Sequence, residues 1–210
     1  RAALARLYHA WYGYPGDRLR LIAVTGTNGK TSVSFMLRAI WEASLEPCGL
    51  IGTVACDSGG RRLQSSSVES LANMTTPDPQ DLYRLLAAMA RDGVRTVIME
   101  TTSHALALGK LDALHFDAAI FTNLTPEHMD LHGTMEDYYA AKRSLFAVCR
   151  TAVINADDRY GRRLLSEPLP IHHYHICHAD GAQAVISDRI CPAGEGGCTR
   201  LYAEQVKFLG

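Results

Sequence analysis

The chain has 210 residues, which is long enough for one α/β domain with a small appendage. Its apolar content of 47% and charged content of 20% are typical of a globular protein. The net charge of −1 argues against a broad nucleic-acid interface, which needs a basic excess. No segment approaches the roughly 20 consecutive apolar residues that cross a bilayer, so we expect no membrane insertion.

Strand and helix patterns alternate along most of the chain. Apolar spacing predicts a helix over Ala2–Trp11, and the turn residues YGYPGD connect it to a first strand at 21–24. Further helices are predicted at 31–44, from Pro79 onward, at 136–148 and at 158–165, with strands at Cys48–Ile51, 94–99, 118–121 and 152–154. This alternation predicts an α/β fold with a mostly parallel sheet flanked by helices.

Two regions of the chain lack that alternation. Residues 53–74 are rich in Ser and Gly, and we expect a long loop or an irregular hairpin there. Residues 184–190 and 200–208 are expected to form a small antiparallel patch near the C-terminal end.

The most informative stretch is LIAVTGTNGKTS at residues 21–32. A strand, a glycine turn and a helix in this order surround a phosphate with backbone N–H groups and a helix N-terminus. Lys30 would reach the outer phosphates of a nucleotide, and the Thr31 hydroxyl would bind Mg²⁺. Only the second half of the generic P-loop matches, because Val24 stands where its first glycine is expected. The alternative is a turn whose glycines serve the turn alone, but turn chemistry does not explain a Lys-Thr pair opening a helix.

Polar side chains follow three of the predicted strands. Glu100, Asn123 and Asn155 each come just after a strand, and ligands of parallel sheets bind beyond the carboxyl ends of the strands. Burying an ionised carboxylate alone is costly, so Glu100 beside a nucleotide indicates a Mg²⁺ ligand. A salt-bridged or helix-capping glutamate is the alternative.

A polar loop and a helical lysine add two more candidates. The segment TNLTPEHMDLH, residues 122–132, holds Glu127, His128, Asp130 and His132 on one predicted loop, which favours a metal or substrate role over a structural histidine. Lys142 lies on the predicted helix 136–148, where the alternative is a surface lysine with its stem along apolar residues.

The cysteines indicate a cellular compartment, and the histidine tract does not indicate a metal site. Six cysteines without a C-x-x-C pair favour a reducing cytoplasm. The tract HHYHICH at residues 172–178, followed by Cys191 and Cys198, matches no standard zinc module. On a strand, successive residues point to opposite faces, which would divide these histidines between the two faces, so we expect no metal site there.

Together these motifs resemble the central ATPase domain of the Mur ligases. TGTNGKT is the form that the P-loop takes in that family, and Glu100 matches its Mg²⁺-binding acid. The pattern Asn123…His128-Met-Asp matches a motif whose histidine binds a second Mg²⁺, and Lys142 in AAKRSLF matches a lysine that becomes carbamylated. Asn155 in NADD matches an asparagine that contacts adenine.

The resemblance implies three sets of site residues. It assigns catalysis to Lys30, His128 and carbamylated Lys142, and metal binding to Thr31, Glu100, His128 and Lys142. The implied ATP-binding residues are Gly26, Thr27, Asn28, Gly29, Lys30, Thr31, Ser32, Asn123 and Asn155.

Four further segments resemble the branch of the family that adds the third amino acid to UDP-MurNAc-L-Ala-D-Glu: YGYP at 12–15, GLIGT at 49–53, NMTTPD at 73–78 and SHAL at 103–106. They imply that Thr75, Thr76, Ser103 and Lys110 bind the muramoyl dipeptide. Leu108 and Lys110 depart from the Gln and Arg usual in this branch, and Lys offers a carboxylate a point charge where Arg binds it bidentately.

The implied reaction is ATP-dependent amide formation through an acyl phosphate, with ATP and Mg²⁺ as cofactors and lysine or diaminopimelate as the incoming amino acid. The resemblance also implies a cytoplasmic monomer. It divides the chain into a linker at 1–18 from a missing uridine-binding domain and a central ATP-binding domain at 19–210, with the C-terminal domain absent. The alternatives are a MurT-type, cyanophycin or folylpolyglutamate synthase within the same superfamily, or an ATP-binding module without catalysis.

Overall fold

The computed structural model of the chain describes residues 2–59, 61–62, 75–127, 129–171, 173–180, 183–190 and 199–202. Its helices are α1 (Ala2–Trp11), α2 (Lys30–Ala43), α3 (Pro79–Arg91), α4 (Ser103–Ala107), α5 (Met129–His132), α6 (Met135–Arg143) and α7 (Arg159–Ser166). Two 3-10 turns lie at Pro15–Arg18 and Ser144–Ala147. The strands are β1 (Arg20–Thr25), β2 (Cys48–Ile51), β3 (Cys56–Ser58), β4 (Arg61–Arg62), β5 (Thr96–Glu100), β6 (Phe116–Phe121), β7 (Cys149–Asn155), β8 (His173–Asp180), β9 (Gln183–Ile190) and β10 (Thr199–Tyr202).

The strands form one sheet in the order β10-β9-β8-β7-β6-β1-β5-β2-β3-β4. The six strands from β8 to β2 are parallel, and the remaining strands pair antiparallel at the two edges. Strand β1 lies at the centre, where Ile22 pairs with Ile98 of β5 on one side and with Ala118 of β6 on the other. The predicted mostly parallel α/β fold is confirmed.

Consecutive strand residues point to opposite faces of the sheet, and the central strands are apolar on both faces. Helices therefore cover both sides of these strands. In β1, Leu21 and Ala23 pack into the cluster that contains Leu82 and Leu86 of α3. Ile22 and Val24 belong to a smaller cluster on which Val33 and Leu37 of α2 pack. The sheet is therefore buried on both sides, and its polar residues lie where the strands end.

Several predicted elements differ from the structure in detail. The predicted helix at 136–148 is α6 followed by a 3-10 turn, and the region 53–74 contains the short strands β3 and β4, while 63–74 fall outside the described residues. The antiparallel patch is confirmed by β9 and β10, although 203–208 also fall outside. The short helices α4 and α5 were not predicted, and β8, which carries most of the histidine tract, extends the parallel sheet beside β7. Among the described residues, no helix is both long and apolar enough to cross a bilayer.

Candidate active site

The turn between β1 and α2 is held by close backbone approach to the end of β6. Gly26 has φ +150°, and a Cβ built there would lie 1.9 Å from Thr122 Oγ1. The backbone N–H of Thr27 donates to the Asn123 carbonyl at 2.9 Å. Gly29, at φ +86° in the left-handed region, is the N-cap of α2. The glycines therefore serve two separate needs, contact with β6 at Gly26 and helix entry at Gly29.

Two asparagines at the strand ends bind the backbone of neighbouring segments. The Asn123 side chain accepts from the Asn28 N–H at 2.9 Å and donates to the Asn28 carbonyl at 3.1 Å. Asn155 donates to the Thr122 carbonyl at 2.8 Å and accepts from the Asp157 N–H at 3.0 Å. Asn123 thus fixes the tip of the turn, and Asn155 fixes the segment that carries Asn123.

Lys30 is the first residue of α2, and its side chain folds back over the turn. Its ammonium donates to the carbonyls of Gly26 at 3.0 Å and Thr27 at 2.8 Å. Burial lowers the pKa of Lys30, while the charges of Glu100 and Glu127 act in the opposite direction. The turn and Lys30 border a cleft of about 260 Å³ lined by residues 27–32 together with Thr53, Thr75 and Glu100, so Ser32 and Thr31 also face it.

Glu100 ends β5 as a fully buried carboxylate. Its Oε2 accepts hydrogen bonds from the hydroxyls of Thr31 at 3.1 Å and Thr53 at 3.0 Å. Its Oε1 is buried and has no hydrogen-bond partner among the described residues. A Cβ at Gly52 would lie 2.3 Å from that oxygen, so a glycine is required beside it. A buried, unpaired carboxylate oxygen next to a threonine hydroxyl fits the oxygen ligands that Mg²⁺ prefers.

Lys142, on α6, is also buried, with 1% of its surface exposed. Its Nζ donates to the Gly26 carbonyl at 2.9 Å and lies 4.8 Å from the ring centroid of Tyr138. Burial, and then the charge of Lys30, lower the pKa of Lys142 to about 7, while the charge of Glu127 opposes the shift. The alternative of a surface lysine is therefore wrong.

A second cleft, of about 270 Å³, adjoins the first. The predicted substrate residues Thr75, Thr76, Ser103 and Lys110 line it together with Lys30 and Lys142. The Thr76 hydroxyl donates to the Glu100 carbonyl at 2.9 Å and accepts from the Thr102 N–H at 3.1 Å. Such a cleft, with lysines and hydroxyls on its walls, suits an anionic ligand that carries carboxylates.

Lys110 differs from the other two lysines because it is ion-paired. It is 4% exposed, and its Nζ lies 2.9 Å from Asp78 Oδ1. Asp78 is the N-cap residue of α3, but its side chain makes no capping hydrogen bond and reaches Lys110 instead.

His128 falls outside the described residues, so its predicted metal role stays a prediction. Its neighbours Glu127 and Asp130 are exposed. Within the described parts of the chain, no group of three or more His, Cys, Asp or Glu side chains is arranged to hold a metal. His172 lies outside the described residues, as do Cys191 and Cys198.

The family model of the Mur ligase middle domain matches residues 24–190, which include the turn, Glu100 and Lys142. The chain belongs to this family. Two curated relatives carry the name UDP-N-acetylmuramoyl-L-alanyl-D-glutamate--2,6-diaminopimelate ligase. The one from Caldanaerobacter subterraneus subsp. tengcongensis is 42% identical over 166 residues, covering 79% of this chain and 33% of the relative. The one from Streptomyces coelicolor is 44% identical over 169 residues, covering 80% and 32%. This Mur ligase chain therefore spans about a third of the length of these relatives.

Solved structures support the same fold. One described by that same ligase name superposes with a TM-score of 0.66 at 26% identity and covers 95% of this chain and 43% of that one. E. coli FolC, solved with DHPP and ADP, superposes with a TM-score of 0.61 at 18% identity over 88% of this chain and 50% of that one. The second likeness shows the fold alone.

Sequence reasoning missed two residues of this Mur ligase site, Tyr138 and Thr53, and one contact, between His132 and Ser103. Tyr138 lies one helical turn before Lys142, so the i, i+4 spacing could have identified it as a neighbour. The Thr53 hydroxyl binds Glu100 from a segment without periodicity, and no local pattern indicates that contact. His132 was noticed as part of a polar loop, but its partner Ser103, 2.9 Å from its Nε2, lies 29 residues away in sequence.

Proposed function

We propose that the protein to which this chain belongs is an ATP-dependent ligase that joins an amino acid to UDP-MurNAc-L-Ala-D-Glu. The observation that carries the proposal is the meeting of two clefts at Lys30 and Thr75, one bordered by the phosphate turn and one by Ser103, Lys110 and Lys142. Both curated relatives are named for diaminopimelate, so diaminopimelate is the first amino acid to test and lysine is its competitor.

In this proposal ATP binds along the turn of residues 26–32. Backbone N–H groups at the start of α2 would bind the phosphates, and Lys30 would exchange its two carbonyl partners for phosphate oxygens. Asn123 would keep the turn in shape through its two bonds to Asn28. The predicted contact of Asn155 with adenine remains a proposal, and its bond to the Thr122 carbonyl supports a position beside the turn.

Thr31 and Glu100 fit a Mg²⁺ ion, since the buried Oε1 of Glu100 lacks a partner among the described residues. Bound Mg²⁺ would supply positive charge to the phosphate oxygens. Thr53 would hold the second carboxylate oxygen of Glu100 in place. His128 and carbamylated Lys142 are proposed to hold a second Mg²⁺.

Carbamylation of Lys142 requires a neutral amine. A pKa near 7 leaves a large neutral fraction at physiological pH, whereas an ordinary lysine is almost fully protonated. The amine nitrogen would form a bond to the carbon of CO₂ and release one proton, which leaves a carbamate anion. We propose that this anion faces the clefts where the acceptor carboxylate and the γ-phosphate meet.

The acceptor would occupy the second cleft. Its D-Glu carboxylates would meet the hydroxyls of Thr75 and Ser103, with Thr76 lining the cleft beside them, and Lys110 would add a charge that Asp78 holds in position. A carboxylate oxygen would attack the γ-phosphorus of ATP, forming a P–O bond and releasing ADP. The amine of the amino acid would then displace phosphate from the acyl phosphate.

We also propose a cytoplasmic location and a monomeric state. The free thiols of Cys48 and Cys149 are buried, which suits a reducing compartment. Size-exclusion chromatography with light scattering tests the monomer, and a dimer mass at micromolar concentration would contradict it.

The test of the function is phosphate release by the full-length gene product. Release should require ATP, Mg²⁺, UDP-MurNAc-L-Ala-D-Glu and diaminopimelate together. Lys142→Ala should abolish it, and added bicarbonate should not restore it. ATP binding without turnover would favour a non-catalytic module, and turnover with a folate acceptor and glutamate in place of the muramoyl substrate would favour folylpolyglutamate synthesis.

A further inference from the structure

A line of side chains connects the acceptor cleft to the phosphate turn. His132, the last residue of α5, places Nε2 2.9 Å from the Ser103 hydroxyl. Its ring lies against Tyr138, with centroids 4.9 Å apart and planes 26° apart. Tyr138 is 1% exposed, and its hydroxyl lies 3.2 Å from Thr27 Oγ1. Ser103 and the phosphate turn are therefore joined by two aromatic side chains.

The single proton of the Thr27 hydroxyl determines which residue donates in the hydrogen bond between Tyr138 and Thr27. Thr27 Oγ1 donates to the Thr125 carbonyl at 3.2 Å and accepts from the Thr125 N–H at 3.0 Å. A threonine hydroxyl has one proton, so its remaining lone pair accepts from the Tyr138 hydroxyl. Tyr138 is thereby fixed at its hydroxyl, and His132 stacks on a ring that cannot shift freely.

The hydroxyl of Ser103 caps no helix, and its hydrogen-bond partner among the described residues is His132. The N-cap of α4 is Thr102, whose hydroxyl accepts from the Ala105 N–H at 3.2 Å. Ser103 is 4% exposed and lines the cleft that also holds Lys110 and Lys142. Its hydroxyl proton can go either to His132 or to a ligand, and the tautomer of His132 decides which.

We propose that His132 is a positioning residue, which donates its Nε2 proton to Ser103 Oγ and so leaves the Ser103 proton for a carboxylate of the acceptor. The opposite tautomer would take the serine proton and present lone pairs to an anion, which is repulsive. Stacking on Tyr138 holds the imidazole in the plane that this bond requires. The inference rests on the proposed ligase function, since the acceptor is the muramoyl dipeptide.

The kinetic test uses the full-length gene product and two replacements of the histidine. His132→Leu removes the donor, whereas His132→Gln places an amide N–H near the position of Nε2. We expect His132→Leu to raise KM for UDP-MurNAc-L-Ala-D-Glu about 5- to 10-fold with kcat changed less than about 2-fold. His132→Gln should recover most of that loss, and KM for ATP should stay unchanged in both.

A double-mutant cycle with Ser103→Ala tests whether the effect passes through the serine. If it does, His132→Leu adds little to the KM of the Ser103→Ala variant. The matched control is His115→Gln, an exposed histidine outside both clefts, which should behave as the unsubstituted protein. Equal KM values for His132→Leu and His132→Gln, or additive effects in the cycle, would overturn the proposal.

Nitrogen-15 NMR of the histidine side chains gives an answer that needs no turnover. The His132 signals are assigned by their loss in His132→Gln, and we expect Nε2 to carry the proton and Nδ1 to lack it. An unprotonated Nε2 would refute the positioning role whatever KM values the variants show. If the unsubstituted protein releases no phosphate with the muramoyl substrate, the ligase function fails, while the NMR result still decides how His132 meets Ser103.

Discussion

Replacing Lys142 by methionine should stabilise the folded chain at neutral pH, although it removes the amine on which the proposed activity depends. Burial lowers the pKa of Lys142 from its ordinary value of 10.5 to about 7. Between those values the unfolded chain still binds the lysine proton and the folded chain has released it. The stability of the chain with Lys142 therefore rises with pH across this window, and the penalty is largest below pH 7.

The structure sets the size of the effect. At about 1.4 kcal/mol per pH unit, the interval between the two pKa values corresponds to about 5 kcal/mol as an upper limit. Losing the hydrogen bond from Nζ to the Gly26 carbonyl at 2.9 Å costs about 1 kcal/mol, while Lys30 still donates to that carbonyl at 3.0 Å. We expect Lys142→Met to be about 2–4 kcal/mol more stable at pH 6.5 and to lose that advantage by about pH 10.

Urea unfolding of the 210-residue chain in CO₂-free buffer at pH 6.5, 8 and 10 measures this difference. Lys110→Met is the matched control, because Lys110 is as buried as Lys142 but pairs with Asp78 at 2.9 Å. It should bring no gain in stability at pH 6.5. A Lys142→Met chain that is less stable at pH 6.5, or whose difference from the unsubstituted chain does not change with pH, would refute the reasoning.

Three further variants test the rest of the site. Gly26→Ala should cost more than about 2 kcal/mol of stability, because its Cβ would lie 1.9 Å from Thr122 Oγ1, and an unchanged urea midpoint would contradict that contact. Glu100→Gln should lower ATP affinity at least about 10-fold with Mg²⁺ present but not in EDTA, measured by calorimetry, and equal losses in both buffers would argue against a metal ligand. Asn123→Ala should weaken ATP binding about 5- to 20-fold by freeing the Asn28 backbone, and unchanged affinity would show that the turn keeps its shape without these bonds.

The central fold could be predicted from sequence because its signals are local. The apolar residues of β1, β2 and β5 form short runs between turn residues, and their alternation with helices allows few topologies. The strand β8 was not assigned, because its histidine-rich tract carries no clear apolar face, although the turn dipeptide Asp180-Gly181 follows it. Pairing with β7 over Thr151–Asn155, from which α7 separates it, and with β9, the next strand along the chain, decides that strand.

The site residues also divide into those with a local sequence signal and those without one. Lys30 and Thr31 could be assigned from spacing, since strand, turn and helix are continuous in the chain. The burial of Lys142 could not be assigned, because its amphipathic helix is compatible with either a surface or a buried lysine. The Gly26 carbonyl, 116 residues away, accepts its hydrogen bond and decides the question.

That carbonyl also links the two lysines of the site and suggests why Lys142 is kept there. Gly26 O accepts from Lys30 at 3.0 Å and from Lys142 at 2.9 Å, so two ammonium groups would lie beside one oxygen. Like charges at that distance disfavour each other, and Lys142, the more buried of the two, is the one that loses its proton. Carbamylation would replace this repulsion by attraction, because an anion on Lys142 would face the cation of Lys30. The site therefore disfavours the ordinary charge of Lys142 and would favour the opposite one.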